Sequence, residues 1–259
     1  GYDFLLQAES GLMSITGEEG GGPQKLGVAI VDVCTGQYAT MCILAALQSR
    51  STTGEGQRID VSLFNTSLSM LVNVASNYLI GDVIPSRYGN GHPNIVPYRD
   101  YPCGEGGIAL AVGNDMQFAN LSRVLGHPEW AEDQNFQTNA SRVTNRDACD
   151  GMIRDVLAAK PAAYWIDLFE KEGIPCSKVN RVDEALESEQ AKANDMVLEM
   201  DHPTSGNIRV PGIPYQFSKT PAGVQSPPPL LGADTQEVLK RLLGKSDEDI
   251  EKLRASDVV

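Results

Sequence analysis

Three stretches of this sequence predict an α/β fold. The run "GVAIVD" (27–32) is apolar up to a single carboxylate, the pattern of a buried strand that ends at a chain crossing. Behind it, "TGQYATMCILAALQSR" (35–50) is apolar on nearly every face, which predicts a buried helix. After the turn "STTGEGQ" (51–57), "RIDVSLF" (58–64) alternates like a second strand, and "LSMLVNVASNYLI" (68–80) reads as a second apolar helix. Strand, buried helix, strand, helix is the element order of an α/β protein.

The texture changes at 81–97, "GDVIPSRYGNGHPNIVP", a Gly/Pro/Asn segment without periodicity that predicts a domain crossing and a working loop. Beyond it, "YRDYP" and "GIALAVG" flank "CGEG" as a hairpin would. Helical patterns follow near 115–125, 145–159 and 161–172, the last with Pro161 at its start and Gly173 at its end. Residues 98–190 therefore predict a small α+β domain. "MVLEMDHPTSGNIRVPG" (196–212) predicts two short strands around a "PTSG" turn. "SPPPLLGADTQEVLKRLLG" runs from a proline-stiffened connector into a helix, with Asp234 and Glu237 spaced as in a capping box.

The bulk numbers narrow the function classes. A net charge of −13 disfavours nucleic acid and anionic membrane as partners. No uninterrupted run approaches the roughly 18 apolar residues of a membrane span. Five dispersed cysteines without a C-x-x-C pair predict free thiols in a reducing compartment, and three scattered histidines predict no metal site. The chain opens on "GYDFLLQ" without an initiator Met, which reads as a piece of a longer or processed protein whose targeting signal is not legible.

Asp32 has two readings. As a helix N-cap it accepts backbone N–H bonds and complements the helix dipole. As a carboxylate at a strand-to-helix crossing, where open α/β sheets bind ligands, it is a nucleophile toward an acyl group. Both hold together, because helix amides keep a carboxylate ionised. "GNGHPN" (89–94) is a plain turn or a mobile cover whose small residues allow close approach to a reacting centre. His92 within it is a solvated loop side chain or a contact for a substrate carboxylate. Tyr164, Trp165, Leu168 and Phe169 have core spacing, and Asp147, Asp150, Arg146 and Arg154 read as a solvated face. Arg142 and Arg146, four apart, read as a surface pair, with a ligand carboxylate as the alternative.

"GYDFLLQAESGLMSITG" followed by "GVAIVDVCTGQYATMCILAALQSRSTTGEGQRIDVSLFNT" resembles family III CoA-transferases, and the likeness continues through "GNGHPNIVPY", "EGIPCSKVN" and "PPPLLGADTQEVLK". "ASNYLIG", "NASRVTNR" and "HPTSGNIRVPG" resemble the succinate–hydroxymethylglutarate branch of that family. The resemblance implies that 1–80 is the later part of a Rossmann-like large domain carrying the catalytic Asp, that 81–97 is the crossing and active-site loop, and that 191–259 returns to the large domain. It implies Asp32 as the nucleophile, Gly1, Tyr2 and Asp3 at the CoA, and Gly89, Asn90, Gly91 and His92 as the loop over the site.

The implied activity moves CoA from an acyl-CoA such as succinyl-CoA to a carboxylic acid, a dicarboxylate such as glutarate, through aspartyl anhydride and aspartyl-CoA thioester intermediates. The CoA thioester is a substrate, and no cofactor or metal is implied. Interlocked homodimers and an intracellular site, cytoplasmic or mitochondrial matrix, are implied in the same way. Two other readings compete. Related α-methylacyl-CoA racemases carry a His where this chain has Tyr2, and a tyrosine is a poor proton shuttle near neutral pH. A non-catalytic scaffold homologue would have no need of Asp32 or the loop.

Overall fold

The structure is a computed structural model describing residues 1–259. The chain divides into two compact units, Gly1–Val179 and Asn180–Val259. α- and β-elements are mixed, and the sheets are small and antiparallel.

The first unit begins with four helices: α1 (Asp3–Glu9), α2 (Ile30–Thr53), α3 (Leu63–Ser69) and α4 (Val72–Gly81). No strand forms at 27–31 or 58–64. Alternation and β-branching describe a surface that suits a sheet, but a strand exists only where a neighbour accepts its ladder bonds. Neither segment has such a neighbour. Val28 is exposed and the backbone turns directly into α2. The second segment ends at Ser62, whose hydroxyl accepts the Asn65 N–H at 3.1 Å and so starts α3.

α2 is as apolar as its sequence suggests, yet only Val31 is buried; Met41, Ile43, Leu44 and Leu47 are exposed. An all-round apolar helix is buried only where other elements cover it. With 24 residues it is long and apolar enough to cross a membrane by length and composition, a test that core helices of soluble proteins also pass. Gly54, at φ 76°, closes it with an N–H bond to the Arg50 carbonyl at 2.9 Å. The single helix expected over 68–80 is broken at Met70–Leu71, and Val72 beyond the break has φ 43°, uncommon for a β-branched residue.

The rest of this unit contains β1 (Tyr98–Pro102), β2 (Gly107–Ala111), α5 (Asp115–Val124), α6 (Asn139–Thr144), α7 (Arg146–Leu157), α8 (Ala162–Lys171) and β3 (Cys176–Lys178). The expected hairpin and all three expected helices are present; α6 and β3 are additional. The sheet order is β1-β2-β3, antiparallel, with Tyr101 opposite Ile108 and Leu110 opposite Cys176. Ile108, Leu110 and Val112 point into the core at the two-residue period of a strand. Cys149, Ile153 and Leu157 meet them at the four-residue spacing of one helix face, and Trp165 and Phe169 come from α8. Tyr164 is exposed. Gly173, at φ 66°, ends α8, and the Ile174 N–H reaches back to the Phe169 carbonyl at 2.9 Å.

The expected solvated face on α7 is corrected at Asp150. Its carboxylate is buried and accepts the Tyr101 hydroxyl at 2.5 Å, with Arg99 at 3.4 Å. Hydrogen bonding to Tyr101 offsets the cost of burying the carboxylate. Tyr101 stands 49 residues away in the chain, so the α7 pattern gives no sign of it.

The second unit holds α9 (Val182–Leu186), α10 (Glu189–Ala193), the hairpin β4 (Val197–His202) and β5 (Gly206–Pro211), α11 (Thr235–Leu243) and α12 (Asp247–Ala255). The expected strand pair and its turn are present, and Arg209 on β5 pairs with Glu187 at 2.6 Å. α11 forms, but Asp234 makes no side-chain cap. The capping box is instead Ser246 with Asp249 on α12.

Candidate active site

The start of α2 is built from a neighbouring helix. On α1, Asp3 and Gln7 lie four residues apart and face the same way. Gln7 is buried; its Nε2 donates to Asp3 Oδ2 at 2.5 Å, and its Oε1 accepts the Leu26 N–H at 2.9 Å. Asp3 Oδ1 accepts the N–H of Val31 at 2.7 Å and that of Asp32 at 3.3 Å.

The first amides of a helix have no acceptor within it. The N-cap position of α2 is Ala29, which has no side-chain acceptor, and Asp32 is the third helical residue. The capping reading of Asp32 is thereby corrected: Asp3 supplies the cap and complements the positive helix end. The Asp32 carboxylate is exposed and makes no hydrogen bond or ion pair within the chain.

Gly1 and Tyr2 are exposed, Tyr2 at 79%. Tyr2 occupies the N-cap position of α1 without a side-chain bond. Of the three residues assigned to CoA by resemblance, two face solvent and Asp3 is turned into the chain.

The loop 89–94 is anchored at several points. The Gly89 N–H bonds the Gly17 carbonyl at 3.0 Å with φ 58°, and a side chain there would meet the Glu18 carboxylate. The Gly91 N–H closes a turn on the Tyr88 carbonyl at 2.8 Å. His92 donates its backbone N–H to the Tyr98 carbonyl at 3.0 Å, and its Nδ1 accepts the Asn94 N–H at 3.0 Å. Partial burial and the nearby Arg146 charge lower the His92 pKa from its ordinary value. Asn90 is exposed. Gly89 and Gly91 line a cavity of about 500 Å³ together with Ile80, Ile84, Pro85 and Tyr88.

Arg142 and Arg146 are not a surface pair. Arg142 is fully buried and donates to the carbonyls of Val96 (2.7 Å) and Phe136 (2.7 Å) and to Asp115 Oδ1 (2.8 Å). Arg146 donates to the Pro93 carbonyl at 2.8 Å and lies over the Tyr88 ring. Asn139 completes the attachment, donating to the Asn94 carbonyl and accepting the Val96 N–H. "NASRVTNR" thus fastens the loop's far end. A signal was present in part: Asn139 and Arg142, three apart, are spaced for one helical face.

No hydrogen bond or ion pair joins the Asp32 carboxylate to Gly89–His92, and Asp32 is not among the residues lining the cavity beside the loop. Burial pushes Cys149 up to about 12 and raises Cys103 and Cys176 as well. All five cysteines are free.

The family model for CoA-transferase family III matches residues 1–235. The chain belongs to CoA-transferase family III. Over its full length it is 40% identical to succinyl-CoA:glutarate CoA-transferase of Mus musculus and 38% identical to the Homo sapiens protein of that name, covering 59% of each. It is 36% identical to succinate–glutarate CoA-transferase of Agrobacterium fabrum, over 93% of this chain and 60% of that one. The chain therefore spans about 59% of the length of these mammalian relatives.

Among solved structures, a CaiB/BaiF family protein from Brucella suis superposes with a TM-score of 0.76 at 36% identity, over 92% of this chain and 62% of that one. A Mycobacterium tuberculosis protein at 22% identity superposes with a TM-score of 0.79, over 91% of this chain and 62% of that one, and shares the fold.

Proposed function

We propose that this family III chain carries the nucleophile of a CoA-transferase and that the nucleophile is Asp32. One observation carries the reading: a solvent-facing carboxylate without any intrachain partner stands at the amide-rich start of a helix. The Asp32 carboxylate attacks the thioester carbonyl of an acyl-CoA, forming a mixed anhydride and expelling CoA thiolate. The thiolate attacks the aspartyl carbonyl, giving an aspartyl-CoA thioester and releasing the first acid as its carboxylate. The second acid's carboxylate attacks this thioester, restoring an anhydride and free thiolate. Attack of that thiolate on the second acyl carbonyl forms the new acyl-CoA and regenerates Asp32. A serine could carry the acyl group but could not hold CoA as an activated acyl thioester, so the chemistry requires a carboxylate.

Succinyl-CoA as donor and glutarate as acceptor are supported by the names of the relatives. Gly1 and Tyr2 offer exposed surface for CoA. The loop Gly89, Asn90, Gly91 and His92 serves as the cover that keeps water from the anhydride. A homodimer suits the exposed apolar side chains of α2, and five free thiols suit an intracellular, reducing compartment.

The test is exchange of CoA from succinyl-CoA to glutarate by the complete natural chain, followed by mass spectrometry of glutaryl-CoA. Asp32→Ala and Asp32→Asn are expected to lose transfer by several orders of magnitude while remaining folded, because the exposed Asp32 carboxylate makes no intrachain bond whose loss would destabilise the chain and a covalent nucleophile is indispensable. Near-normal turnover in both variants would refute the assignment.

A further inference from the structure

We propose that Asp3 is a positioning residue for the transfer reaction: by taking the free amides at the start of α2 it leaves the Asp32 carboxylate unbound and available to attack. The inference rests on the reading of Asp32 as nucleophile.

An aspartate in the first turn of a helix is drawn to that turn's unsatisfied N–H groups and to the positive end of the dipole. A nucleophile folded onto its own helix would be hydrogen-bonded and turned from the substrate. In this chain the local cap position, Ala29, has no side-chain acceptor, so those amides are open to Asp32 unless another element supplies an acceptor. The competitor comes from α1. Asp3 Oδ1 occupies the Val31 and Asp32 amides, while its Oδ2 is braced by Gln7, whose own carbonyl oxygen holds Leu26. Gln7 is itself buried. Both oxygens of Asp3 are thus engaged inside the chain, an arrangement suited to aligning a neighbour rather than gripping a ligand. The Asp32 carboxylate is left without an intrachain bond.

The test compares Asp3→Ala, Asp3→Asn and the double variant Asp3→Ala with Ala29→Ser in the complete natural chain, with Asp32→Ala beside them. Asp3→Ala is expected to lower kcat by roughly ten- to hundredfold, the scale of a misplaced reacting group, with KM for acyl-CoA within about twofold. Rapid-quench peptide mass spectrometry should show acylation of Asp32 slowed by the same factor. Asp3→Asn keeps an oxygen for the two amides and should recover most of the rate. In the double variant the Ala29→Ser change supplies a local hydroxyl cap and should also raise kcat above that of Asp3→Ala.

Should Asp3→Ala fail to fold, Asp3→Asn and the double variant still report. Wild-type kcat in Asp3→Ala overturns the inference, as does a KM effect with kcat intact, which would make Asp3 a CoA contact. A double variant that recovers melting temperature without kcat overturns it too. Turnover by Asp32→Ala would instead remove the parent reading, whatever the Asp3 variants do.

Discussion

Replacing Arg142 by Met tests whether the buried guanidinium, rather than the surrounding apolar packing, holds the 93–97 segment in place. Methionine keeps an unbranched apolar stem and removes three hydrogen bonds. The Val96 and Phe136 carbonyls would be stripped of this donor where their residues are buried, at a cost of about 1–3 kcal/mol each. The third bond ends on Asp115, whose side chain is 54% exposed and regains water, so its loss costs about 0–1 kcal/mol. The guanidinium also lies 4.3 Å from the Phe118 ring centroid, a contact worth about 1 kcal/mol.

Against these losses stands the desolvation cost that the buried cation no longer incurs. The net expectation is a destabilisation of about 3 kcal/mol. Both tryptophans pack on this core, Trp165 within it and Trp130 against it, so their fluorescence in urea reports its unfolding. With a slope of about 2–3 kcal/mol/M, the midpoint should fall by about 1–1.5 M. Arg142→Lys, which can reach one carbonyl but not both, should fall between the two. A loss below about 1 kcal/mol in Arg142→Met would refute the claim that these bonds hold the segment.

Two further outcomes follow from the loop. Because the folded chain lowers the His92 pKa, the unfolded chain takes up the proton first as pH falls below the ordinary value of about 6.5. The contribution of His92 is therefore neutral above that pH and becomes destabilising below it. Protonation also removes the acceptor for the Asn94 N–H. An NMR titration should place His92 below 6.5 and show faster exchange of the Asn94 amide as it titrates; a pKa at or above 6.5 would count against the described packing. A Cβ at Gly91 would lie 3.0 Å from the Tyr88 carbonyl and 3.9 Å from Arg146 Nη1. Gly91→Val should displace the loop, slow transfer and increase hydrolysis of acyl-CoA, and unchanged rates of both would remove the loop from the mechanism.

The candidate site was legible in part. Asp32 stood out because a lone carboxylate interrupts an apolar run, and "GNGHPN" because its composition lacks any period. The partners that define their surroundings did not. The resemblance puts Asp3 at the CoA, yet its oxygen holds amides of α2, 28 and 29 residues away. Arg142 reads as half of a surface pair because helix spacing says which residues share a face and nothing about what that face meets.

Local periodicity by itself determined the hairpin of β1 and β2, the strand pair β4 and β5, and helices α5, α7, α8 and α11, because each is closed by contacts near in sequence. Whether 27–31 and 58–64 became strands, whether α2 was covered and which carboxylate capped it depended on distant parts of the chain. Hydrogen-bond donors and acceptors are satisfied by whatever the fold brings alongside them, and that choice belongs to the tertiary structure.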